Sequence, residues 1–372
     1  MLFIPHKHLY ISGTSYVSSD EPDYKEVITD ANSRRRMGRL LKMAVWCGLK
    51  SLDGVPSERV AGIITSTGAG FMKDTISFGS SIFDREETLL NPSPFMQSTF
   101  NTASGYIALI RKIHAYNTTY VQQADGFAAS LVDAAMLLDD AGEGDVALVG
   151  AFDEVTPEVD VIRQRLGLYR VVDGFLPLGE GAAAFLLSAA MPTDVSESCR
   201  ATEMSAGPGG DDGSESDSGQ SGDESGFESA FERGGDANSE CSTGPLHESE
   251  SASWPCDEFG SESSSEPLHE YGGTSSRSLN GTKDGNAALR FCGLANLSDL
   301  PKCAGNPIAE LFGINAGVNV ISCADHVESL GAFRSLLPVL LCKLISEQKI
   351  PDGYTAIVDD VNADGVIVLL HK

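Results

Sequence analysis

Apolar positions along the first 190 residues change period several times. Leu9–Ser12 reads as a short strand. From about Arg34 to Leu52, Met37, Leu41, Ala44, Gly48 and Leu52 share one face, which predicts a helix capped by Asp30 or Ser33. Val60–Thr65 predicts a strand that ends in Ser66-Thr67-Gly68-Ala69-Gly70. A helix over Thr102–Tyr116, a strand over Thr118–Val121 and a helix over Ala128–Leu138 follow. The last is apolar almost all round, so it is expected to be buried on every side. Strands at Asp145–Ala151 and Ala182–Leu187 complete this region, and the alternation implies a layered α/β architecture with a largely parallel sheet.

The pattern resumes near Ala287 in shortened form. It predicts a strand over Leu289–Gly293, a helix over Pro307–Phe312 and a strand over Asn319–Ser322. A helix over Glu328–Ser346 and strands at Thr355–Val358 and Gly365–Leu370 come next. Two α/β halves of similar logic, the second one shorter, point to an internal duplication.

Between them the pattern vanishes. Ser, Gly, Asp and Glu supply 50 of the 80 residues from Ala201 to Asn280. Such a segment buries too little apolar surface to offset its ordering entropy and is expected to be disordered. Phe227, Ala230 and Phe231, spaced for a single apolar helical turn, are the exception. The expected organisation is an N-terminal half at 1–195, an acidic insert at 196–286 and a shortened C-terminal half at 287–372.

Charge sharpens this division. The chain carries a formal net charge of −27, but 18 acidic residues against two basic ones fall between Ala201 and Asn280. The remainder, 35 acidic against 24 basic, is acidic without being extreme. Nucleic-acid binding is disfavoured, because phosphates are repelled and no basic stripe compensates. The eight cysteines are scattered with no CxxC pair, so no zinc site is expected. No cofactor is implied either. Met1–Thr14 is too weakly apolar for a secretory signal, and no run reaches the ~20 apolar residues of a membrane span, so the cytoplasm is the expected location.

Several segments, in order, resemble β-ketoacyl synthases. They are Arg35–Arg39, Ile63–Gly68, Phe95–Thr102, Asn117–Val121, Val149–Glu154, Asp173–Phe175 and Leu178–Ala182, the last reading Leu-Gly-Glu-Gly-Ala. The resemblance is nearest to the ketosynthase-like branch of bacterial aryl-polyene and flexirubin-type pigment clusters, and it is looser over 287–372. It implies a thiolase-like, duplicated α-β-α-β-α fold, with the second half truncated and interrupted by the insert. It further implies acyl-carrier substrates, a dimer, and a strand at Thr118–Val121 that pairs across its twofold axis.

Condensing enzymes of this family hold a cysteine between that strand and a buried helix, where the helix N-terminus favours thiolate. Here the connection is Gln122-Gln123-Ala124-Asp125-Gly126, with neither Cys nor Ser. Gln123 before Ala124 resembles chain-length-factor subunits and decarboxylating ketosynthases, whereas Asp125 reads as a helix cap. The resemblance aligns Asn296 with the first family histidine and puts His326 near the second, with Glu328 in the aligned place. An Asn donates a hydrogen bond but exchanges no proton. Cys323, His326 and Asp325 form a candidate nucleophile group, set against Cys323 as a core residue at a strand end. The Gly-rich C-terminal loop of the family is replaced by Asp359–Gly365, rich in carboxylates.

Three readings follow. The first is a non-condensing, chain-length-factor-type subunit beside an active ketosynthase homologue and an acyl carrier protein. The second is an active acyltransferase or malonyl-thioester decarboxylase of the same family. The third is a non-enzymatic scaffold, motivated by an insert expected to replace the first helix of the second half and to bare one sheet face.

Overall fold

The computed structural model describes residues 1–85, 87–122, 126–167, 170–171, 174–175, 178–191, 288–303, 305–362 and 365–372. The insert lies outside the described residues, and with it the expectation of disorder there.

In the first half, β1 (Leu2–Phe3) precedes β2 (Leu9–Val17), α1 (Ala31–Arg36), α2 (Arg39–Ser51) and β3 (Val60–Ser66). Then come α3 (Met72–Asp84), α4 (Pro92–Gln97), α5 (Thr102–Arg111), β4 (Tyr116–Tyr120), α6 (Gly126–Asp140) and β5 (Val146–Asp153). The half closes with α7 (Pro157–Arg165), a small hairpin of β6 (Arg170–Val171) and β7 (Gly174–Phe175), and β8 (Gly181–Ser188). The second half contains β9 (Arg290–Asn296), α8 (Pro307–Leu311), β10 (Val318–Ser322), α9 (Val327–Leu330), α10 (Leu336–Ser346), β11 (Tyr354–Val358) and β12 (Val366–His371).

The strand order runs β4-β3-β5-β8-β2 in the first half and β10-β11-β12-β9 in the second. In both, parallel pairs lead to a strand that is antiparallel to both of its neighbours: β8 between β5 and β2, β12 between β11 and β9. Among the described residues the second half thus repeats the first without a counterpart of its end strand β4. The halves join where Leu9 and Tyr10 of β2 pair with Phe291 and Arg290 of β9.

Burial sorts the elements into five layers. The apolar residues of α2 and α5 pack on the outer face of the first half's strands, through Trp46, Leu49 and Ile107 against Ile63, Leu148 and Leu186. The opposite face of those strands, the inner face of the second half's strands, and helices α6 and α10 share one core. The two helices therefore form a middle layer with a sheet on either side. Beyond the second half's strands lies a thin outer cover of Ile308, Phe312 and Ile314 on Ala356, Ile367 and Leu369. Helix α6 buries one face in this layer, with Phe127, Leu131, Ala134 and Leu138 all buried, but Met136 on the other face is 60% exposed, so the helix is not buried on every side as expected.

The sheet expected to be largely parallel is mixed, with six of its nine described strand pairings antiparallel, and the predicted strand over Leu9–Ser12 and three predicted helices differ from those observed. The helix expected over 34–52 is two helices, broken at Met37 and Gly38. Asp30 caps the first by accepting the Asn32 and Ser33 amides. The buried Gln97 latches the break, its Oε1 accepting the Gly38 N–H at 2.8 Å while its amide donates to the Arg36 carbonyl. Gln97→Ala leaves both backbone groups without this partner and is expected to cost about 1–2 kcal/mol, read as a lowered urea midpoint at unchanged slope. The helix expected to reach Tyr116 stops at Arg111, where Lys112 adopts a left-handed φ of 55°.

The helix expected over 328–346 is likewise split, into α9 and α10, by Gly331 at φ 78°. A Cβ there would stand 2.4 Å from the Gly179 nitrogen. Backbone meets backbone, and Leu178 bridges to Ala332. This contact fastens the Leu178–Ala182 segment of the first half to the second. The expectation that the insert replaces the first helix of the second half is also corrected. The described chain resumes at Ala288, just before the first strand β9, and α8 follows β9 and lies on the outer face.

Candidate functional site

The turn that resembles the family's nucleophile position connects β4 to α6. Gln123, Ala124 and Asp125 lie outside the described residues, but both flanks are placed. The Gly126 N–H donates to the Gln122 carbonyl at 2.8 Å, and the Thr67 N–H donates to the Tyr120 carbonyl at 3.0 Å. Gly126 packs beside Ser66, so the turn adjoins the end of β3.

That end is organised by a buried carboxylate. Asp153, the last residue of β5, accepts from the Gly68 N–H at 2.8 Å, the Ala69 N–H at 3.2 Å and the Thr67 hydroxyl at 3.1 Å, all on Oδ1. Its Oδ2 accepts from the Ser335 hydroxyl at 2.5 Å, just before α10. One side chain thereby joins two strand ends of the first half to the middle-layer helix of the second. Burial pushes its pKa above the ordinary carboxylate range, against the four hydrogen bonds, which pull it down. The neighbouring Glu154 accepts the Lys73 N–H at 2.8 Å, and burial raises its pKa too. Glu180 is held by Arg39, which also binds Glu21. Sequence reasoning placed Asp153 only inside a family-like motif; its hub role depends on Ser335, 182 residues away.

The other candidates lie on the second half. β9, β10 and β11 run in one direction, so Asn296, Ser322 and Val358 end at the same side. The Asp359–Gly365 connection binds across that side. The Leu297 N–H donates to the Gly365 carbonyl at 2.8 Å, and the Ala324 N–H to Asp360 Oδ1 at 2.9 Å. Asp359 turns inward to the Asn362 amide, 2.7 Å away. The carboxylates anticipated in this connection therefore bind local backbone and side-chain donors. Asn296 and His326 share this connection as a neighbour, yet among the described residues no hydrogen bond or ion pair joins either to Gln122 or Gly126.

Cys323 is fully buried in the middle-layer core. Burial, reinforced by Asp359 and Asp360, holds its thiol well above the ordinary range. His326 is shifted the other way, downward, by burial and then Lys343. A thiol kept protonated by burial lacks the thiolate that nucleophilic attack requires. Cys47 and Cys342 are also buried, with raised pKa values caused by burial. Among the described residues no group of His, Cys, Asp and Glu is arranged to hold a metal ion, and no helix is long and apolar enough to cross a membrane.

At the free edge of the first half, β4 bonds only to β3. Beside it Phe100 and Val121 help line an open hollow of about 560 Å³ with Thr99, Asn117 and Thr119. Phe95, Met96 and Tyr116 are exposed as well.

Duplicated strand orders around a shared helical layer, with a strand-to-helix turn at the nucleophile position, define the thiolase-like fold. The sequence profile of the beta-ketoacyl synthase N-terminal domain matches residues 14–206, and the chain belongs to that family. Two solved structures are similar over nearly the whole length. The ishigamide ketosynthase/chain length factor is 12% identical with a TM-score of 0.55, covering 98% of this chain and 99% of that one. The type II PKS complex AntDE:AntF, an acyl-carrier protein with its ketosynthase bound to the hexaketide, is 13% identical with the same score and coverage. The ketosynthase ApeO in complex with its chain length factor ApeC from Xenorhabdus doucetiae is 16% identical at a TM-score of 0.37, covering 49% of this chain and 79% of that one. No curated protein matches the chain.

Proposed function

We propose that this protein is a non-condensing, chain-length-factor-type subunit that works beside an active ketosynthase and an acyl carrier protein in fatty-acid or polyene-type chain assembly, in the cytoplasm. The observation that carries this reading is the connection Gln122–Gly126, which has no thiol or hydroxyl where the family places its nucleophile. Of the five described cysteines, Cys47, Cys323 and Cys342 are core thiols kept protonated by burial, and the partly buried Cys292 and Cys303 also have raised pKa values, by burial and by a hydrogen bond with Glu310 respectively. The complexes named above pair ketosynthases with chain length factors or carrier proteins, which supports the choice of partners. The uncharged edge strand β4 and its apolar surroundings support a dimer, with itself when alone and with the active homologue when both are present.

The thiol electrostatics weigh against the acyltransferase reading through Cys323. Incubation with an acyl-carrier thioester followed by intact-mass measurement is expected to show no acyl adduct. A stoichiometric adduct on Cys323 would return the protein to the acyltransferases. Co-expression with a Cys-containing ketosynthase is expected to give a 1:1 complex on size-exclusion chromatography, and separate elution of the two would remove the partner assignment.

A further inference from the structure

The thin outer layer of the second half leaves a groove of about 200 Å³ between the β1–β2 connection and the strands β9 and β12. Its floor is buried Phe291 and Leu369, and Ile4, Phe312 and Ile314 form apolar walls. Gly293, at φ 155°, makes this geometry possible. A Cβ there would stand 2.6 Å from the Phe3 carbonyl oxygen and 3.1 Å from the Phe312 ring. With glycine, the ring and the N-terminal strand both lie close on the sheet.

The rim has the opposite character from the rest of the molecule. His6, Lys7, His8 and Arg290 line it, and none of its twelve lining residues is acidic, in a chain with 53 acidic and 26 basic residues. Three of these side chains are engaged locally. Lys7 Nζ donates to the carbonyls of Leu138 and Asp139 at the end of α6, and His6 contacts the Asp139 carboxylate at 3.1 Å. His8 meets the Arg290 guanidinium at 3.3 Å through Nδ1. Arg290 has no carboxylate ion pair among the described residues, although it sits half-buried on β9. A guanidinium binds a carboxylate well because the two oxygens match its planar fork of donors.

An apolar trough closed at one end by a guanidinium that has no carboxylate partner among the described residues selects for a ligand with both characters. We infer that the groove binds a straight-chain carboxylic acid, its carboxylate on Arg290 and its alkyl chain along Phe291, Leu369 and Ile314. Inorganic anions leave the floor unused, and the volume admits no folded partner. The site is separate from the Gln122–Gly126 turn, so it stands or falls independently of the proposed subunit role.

Calorimetric titration of the full-length protein with decanoate is expected to show saturable binding of one ligand per chain. Decanol and acetate, which keep only the tail or only the anion, are expected to show none. Arg290→Gln should weaken decanoate binding about tenfold or more, with the circular dichroism spectrum unchanged. A decanoate analogue with a terminal diazirine should label peptides containing Ile4–His8 or Phe312–Ile314, which keeps the site testable if Arg290→Gln fails to fold. Absence of saturation, unchanged affinity in Arg290→Gln, or labelling confined to Thr118–Ala128 would overturn the proposal. So would binding of a twelve-residue polyglutamate peptide, or of anionic phosphatidylglycerol vesicles, without binding of decanoate.

Discussion

Asp153→Ala is expected to destabilise the protein by about 4 kcal/mol, more than any other single change on the hub. The substitution strips the acceptor from the Gly68 and Ala69 amides, each worth roughly 1–3 kcal/mol when left buried and unpaired. The Thr67 and Ser335 hydroxyls also lose their partner, although hydroxyls can re-aim. The midpoint of thermal unfolding should fall by roughly 5–7 °C. Asp153→Asn keeps an oxygen for the two amides and should lose far less. The pair also separates bonding from charge. Because burial raises the folded-state pKa of Asp153, the native protein binds this proton more tightly than the unfolded chain does. Its contribution is fully present below the unfolded value of about 3.9 and declines as pH rises through the folded value. Glu154 and Asp359 are shifted in the same direction, so Asp153→Asn should reduce this slope without abolishing it. Equal stability of Asp153→Ala and wild type in urea titrations would show that the hub bonds contribute nothing.

Thr119→Pro is expected to convert the proposed dimer into monomers or aggregates. The Tyr120 carbonyl points at β3, where it accepts the Thr67 N–H. Alternation along a parallel strand therefore turns the amides of Thr119 and Asn117 to the free edge. Proline at 119 removes an outward donor and spares the β3–β4 ladder. The β4 sequence Tyr-Asn-Thr-Thr-Tyr has no charge or proline, the usual protections of a strand that stays solitary. Its Thr119 hydroxyl does contact Thr65 at 2.7 Å, so Thr119→Val serves as the control for that loss. Sedimentation velocity should show a dimer for wild type and Thr119→Val but not for Thr119→Pro. An unchanged dimer in all three would move the interface away from β4.

The strands were legible because their signal is local. Val146–Asp153 and Gly181–Ser188 are continuous apolar runs buried on both faces, and each was anticipated to within two residues. The helix breaks were not, because apolar periodicity runs straight through Gly38 and Gly331. What breaks the chain there is a distant partner, Gln97 in one case and the Gly179 backbone in the other. Strand β2 extends five residues past the expected Ser12 because Gly13, at φ 53°, makes a bulge inside it and not an end. Helix α3 escaped notice for lack of buried residues. Of the candidate site, the lack of Cys and Ser between Gln122 and Gly126 is read from the sequence, and its bearing on the nucleophile comes from the family resemblance. The Asp153 hub was not, since its four partners come from two loops that sequence spacing does not bring together.

The shared middle layer sets an order in which a duplicated fold can be pared down. An outer helix or an end strand touches the rest of the molecule on one side only, so its loss exposes a single face or edge. Helix α10 touches both sheets, and its removal would open the two at once. Among the described residues the second half shows that asymmetry: it has one strand fewer and a thinner outer cover, while α10 keeps Leu336, Leu340, Leu341 and Leu344 buried. Erosion in such a protein proceeds from the rim inward. Deletions that work inward from β10 should be tolerated one element at a time, until they reach the layer that both halves hold in common.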